Sequence, residues 1–332
     1  MDVLIVEPLD AQVLAWLQAR HSVRYAPELA RSPLAFRQAL VPVRAMIIPP
    51  SVSLDAVALQ RAPVLRLVGR LSVGADNIDL EACARAGIEV VRPANAYAAA
   101  EAEFAIGALL QLLRRVPIIN EEGYLVGREL GGAYVGLVGV TPATAPLAQL
   151  LASFGARVCG YDPSLHASDA AWQHAGVKPV TLRELMQNCD AVCVLMNYFV
   201  RFKQLFSEHL LAECKNNQVL VSLAHSSLFD DQALATVLAN GQMAAAWLDS
   251  VEPGLLDLGR PLRHVDTLQV TPRVSSTTRE SRTRSAWAVA RRIDEMLQTE
   301  AGPATAAASL GMPLGAAFNP ASSSGLAGSA AD

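Results

Sequence analysis

The chain has no run of lysine or arginine and no surplus of basic charge: 27 Lys and Arg stand against 31 Asp and Glu, a formal net charge of -4. That balance offers a polyanion nothing to hold, so no nucleic-acid partner and no anionic membrane surface is expected. No uninterrupted apolar stretch is long enough to cross a bilayer, and no basic segment precedes the strand-like VLIV near Met1. Cysteine is sparse and odd in number: Cys83, Cys159, Cys189, Cys193 and Cys214 lie mostly in apolar runs and lack paired CxxC spacing. This argues against a disulfide framework and against a metal site. A soluble cytoplasmic protein with reduced core thiols is expected.

What is present suffices for two cored domains, since 332 residues are 52% hydrophobic and 17% charged. Short apolar runs alternate with helical stretches: VLIV then AQVLAWLQAR, AMIIPP then LDAVALQRA, LRLVGR then LEACARAG, and IEVV. Such alternation predicts parallel strands joined by crossover helices. A long helix is predicted from Ala98 to Arg115, closing on two cations that suit a helix C-terminus. Beyond it VGLVG, ARVCGYD, DAVCVLM, QVLVSLA, AAAWLD and TLQVTP give six strands of a second sheet. SAWAVARRIDEML, residues 285 to 297, reads as an amphipathic helix able to pack back on the first domain. From Ala301 the chain is mostly Ala, Gly, Ser and Pro, and a disordered tail is expected over 301–332.

Between Gly136 and Asp162 a strand, a tight turn, a small-residue helix and a second strand ending on an acid follow one another. That is the layout of a dinucleotide-binding βαβ unit, which wants three glycines in its turn. Only Gly139 is there; Thr141 and Thr144 fill the other two positions. The turn reads better as a helix start, with Thr141 as N-cap, Pro142 as first helical residue and the Thr141 hydroxyl accepting the Thr144 amide. A β-branched side chain near the pyrophosphate path weakens or abolishes nucleotide binding. The helix N-terminus and the threonine hydroxyls act in the opposite sense. Asp162 sits where a carboxylate accepts from the adenosine ribose diol, or else satisfies local backbone donors in its YDPS turn.

Several blocks in consistent order over roughly residues 60 to 297 resemble the D-isomer-specific 2-hydroxyacid dehydrogenases: LRLVGRLSVGADNIDLEACARAGIEVV, the βαβ unit, NNQVLVSLAHSSLFDDQAL, AAAWLDSVEP and LQVTPRVSSTT. The resemblance implies an α/β protein: a Rossmann-type doubly wound parallel sheet domain over 98–284, plus a smaller flavodoxin-like α/β substrate domain over 1–97 and 285–300. It implies NAD, favoured over NADP by Asp162, a small 2-hydroxy or 2-oxo acid as substrate, and a homodimer built on the nucleotide domain. Val73 and Gly74 occupy the positions whose backbone amides meet the substrate carboxylate, within a stretch that also reads as a plain strand-to-helix turn with Asp79 as N-cap. Gly139, Thr141, Pro142, Ala143, Asp162, Leu223, Ala224 and Asp249 are the implied cofactor contacts. Asp249 matches the acid that accepts from the nicotinamide amide, and it can equally cap neighbouring backbone.

The catalytic positions depart from the family pattern. The family's Arg, Glu and His fall here on His225, Glu252 and Arg273, so Arg and His have exchanged places. A guanidinium releases no proton near neutrality, which removes Arg273 as the acid. If Glu252 faces position 273, the two form an ion pair that holds geometry and moves no proton. A mirrored site then has His225 donating from one side while Arg273 holds the substrate carboxylate. The alternative is a family member without catalysis that binds a metabolite, a nucleotide or a protein partner. LMNYF stands where the family has H-x-P-L-T, and Tyr198 and Phe199 there either narrow the cofactor cleft or pack in the core.

Overall fold

A computed structural model describes residues 1–72, 74, 77–115, 118–119, 123 and 125–301. Val73 and the tail beyond residue 301 lie outside the described residues. The first sheet comprises β1 (Val3–Ile5), β2 (Val23–Tyr25), β3 (Ala45–Ile47), β4 (Leu67–Gly69) and β5 (Glu89–Val91). Its order is β2-β1-β3-β4-β5 and every pair is parallel, the flavodoxin-like arrangement. Parallel strands covered on both faces are apolar throughout, and β1, β3 and β4 are buried at every residue. One face carries the cluster around Leu4, Phe36, Leu40, Met46 and Ile48. The other carries Val3, Ile5, Val13 and Leu17 packed on Ala286, Val289, Ala290 and Ile293 of the Arg279–Ala301 helix. Gly69 permits that approach, since a Cβ there would lie 2.2 Å from Val289 Cγ1.

The Ala98–Arg115 helix leads, past the antiparallel pair β6 (Ile118–Ile119) and β7 (Leu125–Val126), into the second sheet. This comprises β8 (Tyr134–Val138), β9 (Arg157–Tyr161), β10 (Lys178–Pro179), β11 (Ala191–Val194), β12 (Gln218–His225), β13 (Met243–Ser250) and β14 (Leu268–Val270). The order β10-β9-β8-β11-β12-β13-β14 is parallel throughout and reverses between β8 and β11, the switch point of a doubly wound sheet. It has one strand more than the six read from the sequence. The addition is the two-residue edge strand β10, and an edge is where a strand tolerates proline. Two apolar layers cover its faces, one centred on Leu109, Leu137 and Leu147, the other on Leu185, Val192 and Leu234.

Candidate active site

The C-terminal ends of the strands of both sheets meet at a cavity of about 390 Å³, where open α/β sheets place their ligands. Pro50, Arg70, Ser72, Gly74 and Asn77 line it from the first sheet, and Arg273, Ser276 and Thr277 from the second. Of the residues read from the sequence, Gly74 and Arg273 are brought together here. Arg70 was missed, because a cation closing an apolar run looks like a surface residue. It is only 1% exposed and fastens the loop after β4, donating from Nε to Gly74 O at 3.1 Å, from Nη1 to Ile48 O at 3.3 Å and from Nη2 to Ser72 Oγ at 2.8 Å.

Asp249 builds the opposite wall. It is fully buried and accepts from Thr271 Oγ1 at 2.6 Å, Val274 N at 2.9 Å and Ser275 N at 2.9 Å. Of its two expected roles the structure displays the backbone cap. The loop it secures carries Arg273 in a left-handed conformation, φ 56°, which costs about 1–3 kcal/mol without glycine and holds only where surroundings enforce it. Arg273 N donates to Asp249 O and to Thr271 O, so the enforcement comes from the same aspartate. The guanidinium then reaches Ser250 Oγ with Nε at 3.2 Å and Nη2 at 2.9 Å.

The expected ion pair between Glu252 and Arg273 does not form. Glu252 Oε1 pairs with Arg260 Nη2 at 2.9 Å, and that guanidinium also holds Asp231 at 2.6 Å. Glu252 Oε2 accepts from Ser227 Oγ at 3.3 Å. The left-handed backbone turns Arg273 toward Ser250 and leaves Glu252 to Arg260. Among the described residues Arg273 is in no ion pair, and its guanidinium bonds only the Ser250 hydroxyl. His225 ends β12 as the register partner of Ser250, which places it across that serine from Arg273. Its Nδ1 accepts from Ser227 N at 3.2 Å, a bond that assigns the ring proton to Nε2. The ring stacks on Tyr198 at 5.1 Å, so Tyr198 belongs to the site wall.

A second missed residue is Glu101, in the first turn of the Ala98–Arg115 helix. Burial, and then the charge of Asp249, push its carboxyl up to about 7. Nothing in the local AEAEF pattern separates it from the exposed Glu103.

At the nucleotide turn the two threonines exchange their expected roles. The helix starts at Thr144 with Ala143 as its flanking residue, and no side chain caps it. The Thr144 hydroxyl, not that of Thr141, closes the turn: it accepts Thr141 N at 2.9 Å and donates to Gly139 O at 3.0 Å. Inward rotation of Thr144, 1% exposed, decides this, because one hydroxyl then serves a donor and an acceptor at once. Thr141 Oγ1 is left buried without a partner. Gly139, φ 101°, packs so closely on Met196 that a Cβ would lie 2.5 Å from its backbone. Its N–H donates to Tyr161 O, Val140 N donates to Asp162 Oδ2 at 2.8 Å, and Pro142 has no N–H. Asp162 Oδ1 accepts Ser164 N at 2.8 Å, the local role foreseen for it, while each of its oxygens keeps a lone pair. Leu223 and Ala224 lie on β12 packed against the two apolar layers.

These residues fit a dinucleotide: an acid at the end of β9, an orphaned hydroxyl in the turn and a helix N-terminus behind it. The fit is less generous than a glycine turn, because the amides of residues 139 to 141 are already bonded within the protein.

Comparison with known proteins places the chain in a family. Residues 106–275 match the family described as D-isomer specific 2-hydroxyacid dehydrogenase, NAD binding domain. The chain is 31% identical over 294 residues to the (S)-sulfolactate dehydrogenase of Chromohalobacter salexigens, covering 86% of this chain and 95% of that protein. It is 30% identical over 312 residues to the D-3-phosphoglycerate dehydrogenase of Mycobacterium tuberculosis, covering 91% of this chain and 58% of that longer protein. The TT0316 protein of Thermus thermophilus superposes with a TM-score of 0.73 at 25% identity, over 90% of this chain and 97% of that one. The match over half of the chain and the relative 31% identical across 86% of it show that the chain belongs to the D-isomer specific 2-hydroxyacid dehydrogenases, oxidoreductases with an NAD-binding domain.

Proposed function

We propose that the chain is an NAD-dependent oxidoreductase that interconverts a small 2-oxo acid and its 2-hydroxy acid in the cavity between the two sheets, with slow turnover. The observation that carries this reading is Arg273, a cation without an ion-pair partner among the described residues, held by Asp249 and Ser250 so that it lines the cavity. A planar guanidinium suits a carboxylate, and Ser276, Thr277 and Gly74 border the same space.

Asp162, Thr141 and the helix beginning at Thr144 are the residues that hold NAD, which when bound supplies or accepts the hydride. Asp249 acts through the loop it caps and keeps Arg273 in place. His225 presents Nε2–H from the far side of Ser250 and hydrogen-bonds the carbonyl oxygen of the substrate. Handing that proton over requires the ring to gain another at Nδ1, which means surrendering the bond from Ser227 N. Glu252, engaged by Arg260, steadies Ser227 beneath the imidazole and is a positioning residue.

The substrate domain over 1–97 and 285–300 and the nucleotide domain over 98–284 belong to this proposal. So does a homodimer on the Ala98–Arg115 helix, which exposes Leu110 by 36%. Five free, buried cysteines support a cytoplasmic location. Among the described residues no helix is long and apolar enough to cross a membrane.

Calorimetric titration with NADH, followed by NADH-consumption assays on glyoxylate, pyruvate and hydroxypyruvate, tests the reading. Weak saturable NADH binding with slow, substrate-dependent oxidation is expected. Binding without any turnover favours the non-catalytic alternative.

A further inference from the structure

Cys159, midway along β9, and Cys189, in the turn before β11, approach each other away from the cavity lining, and the sequence around them explains why. Gly136 on β8 has no side chain, and a Cβ there would lie 2.4 Å from Leu185 Cγ, so the Leu182–Asn188 helix settles directly onto the sheet. Cys189 follows Leu185 by one helical turn on the same face, and its N–H donates to Leu185 O at 3.0 Å. Cys159 on β9 is the register partner of Gly136. The two sulfurs therefore meet at 3.5 Å, both on fully buried residues.

We propose that Cys159 and Cys189 form a redox-active dithiol, a modification site that takes a hydroperoxide and closes to a disulfide joining β9 to the turn before β11. The proposal stands apart from the catalytic reading. Cys83, Cys193 and Cys214 have no sulfur partner among the described residues, so one pair is set up for this chemistry. The hydrogen bond from Cys189 holds the Cys159 thiol below the ordinary thiol range, against the opposing effect of burial. Cys189 is pushed up by the same bond and by burial, so Cys159 ionises first. Entry is short. Tyr134 is half-buried beneath the Arg157 guanidinium at 5.2 Å, and the exposed Lys178 and Glu184 lie close enough to act on the Cys159 charge.

The Cys159 thiolate attacks one peroxide oxygen: an S–O bond forms, the O–O bond breaks, and the departing oxygen takes a proton and leaves as water or an alcohol. Cys159 is oxidised to the sulfenic acid and the peroxide is reduced. Cys189 then attacks that sulfur, forming S–S and breaking S–O, and hydroxide leaves as water with the Cys189 proton. The product clamps β9, whose strand runs on to Asp162, to the turn that follows the Leu182–Asn188 helix.

The test uses the full chain under native conditions with hydrogen peroxide, quenching by N-ethylmaleimide, intact mass and non-reducing peptide mapping. A loss of two hydrogens, two fewer maleimide adducts and a dithiothreitol-reversible link between the Cys159 and Cys189 peptides are expected. Cys159→Ser and Cys189→Ser should each abolish the link, and the wild-type peptide map decides the matter even if a variant folds poorly. Oxygen adducts without a link, a link to another cysteine, or a link that forms only in urea would overturn the proposal.

Discussion

Thr144→Ala is the perturbation that separates the stability of the nucleotide turn from its grip. The hydroxyl it removes makes two bonds, accepting Thr141 N at 2.9 Å and donating to Gly139 O at 3.0 Å. At about 1 kcal/mol net for each, the variant should lose about 2 kcal/mol of stability, less a few tenths regained from the helix propensity of alanine. In the same stroke the Thr141 N–H is released at the mouth of the turn. A backbone amide donating to a pyrophosphate oxygen contributes about 1.5–3 kcal/mol, so NADH should bind roughly tenfold to a hundredfold tighter. Calorimetric melting reads the first quantity and titration calorimetry with NADH the second. Thr144→Ser keeps the hydroxyl and should resemble wild type in both. A destabilised variant whose NADH affinity is unchanged or weaker would refute the argument that self-bonded amides limit the cofactor.

Other outcomes follow from single contacts. Asp249→Asn keeps one acceptor oxygen for three donors, so the loop carrying Arg273 should loosen, with about 2–4 kcal/mol lost in denaturant melts and a raised KM for the 2-oxo acid. Glu101 has its folded carboxyl raised to about 7 from an ordinary 4.5, so its contribution to stability is full below about pH 4.5 and is lost as pH rises to 7. Glu101→Gln should therefore be the more stable protein at pH 8, by up to about 3 kcal/mol, with a flatter stability profile between pH 4.5 and 7. Arg260→Ala frees Glu252 and should lower kcat more than it raises KM, if Glu252 steadies Ser227 beneath His225.

The sheet architecture was legible because parallel strands buried on both faces must be written as short apolar runs, and these chains of Val, Leu and Ile alternate visibly with helical stretches. Lys178–Pro179 escaped because two residues at an edge carry no alternation to read. Within the site the turn between β8 and its helix was recognisable, yet two threonines three residues apart are equivalent on paper. Only the inward rotation of Thr144 against Gly139 decides which hydroxyl closes the loop. The partner of Glu252 was misread for a related reason: a left-handed arginine leaves no mark in VTPRVSS, and φ at Arg273 is what directs its guanidinium to Ser250. Arg70 and Glu101 owe their importance to burial, which a charged letter in an apolar or helical stretch does not announce.

Steady-state kinetics of Arg273→Met and His225→Phe, at saturating NADH with the best 2-oxo acid, test the central claim most directly. Arg273→Met should raise KM at least tenfold with a smaller fall in kcat, and His225→Phe should lower kcat with KM little changed. Wild-type kcat/KM retained by Arg273→Met would contradict the claim that this arginine anchors the substrate carboxylate.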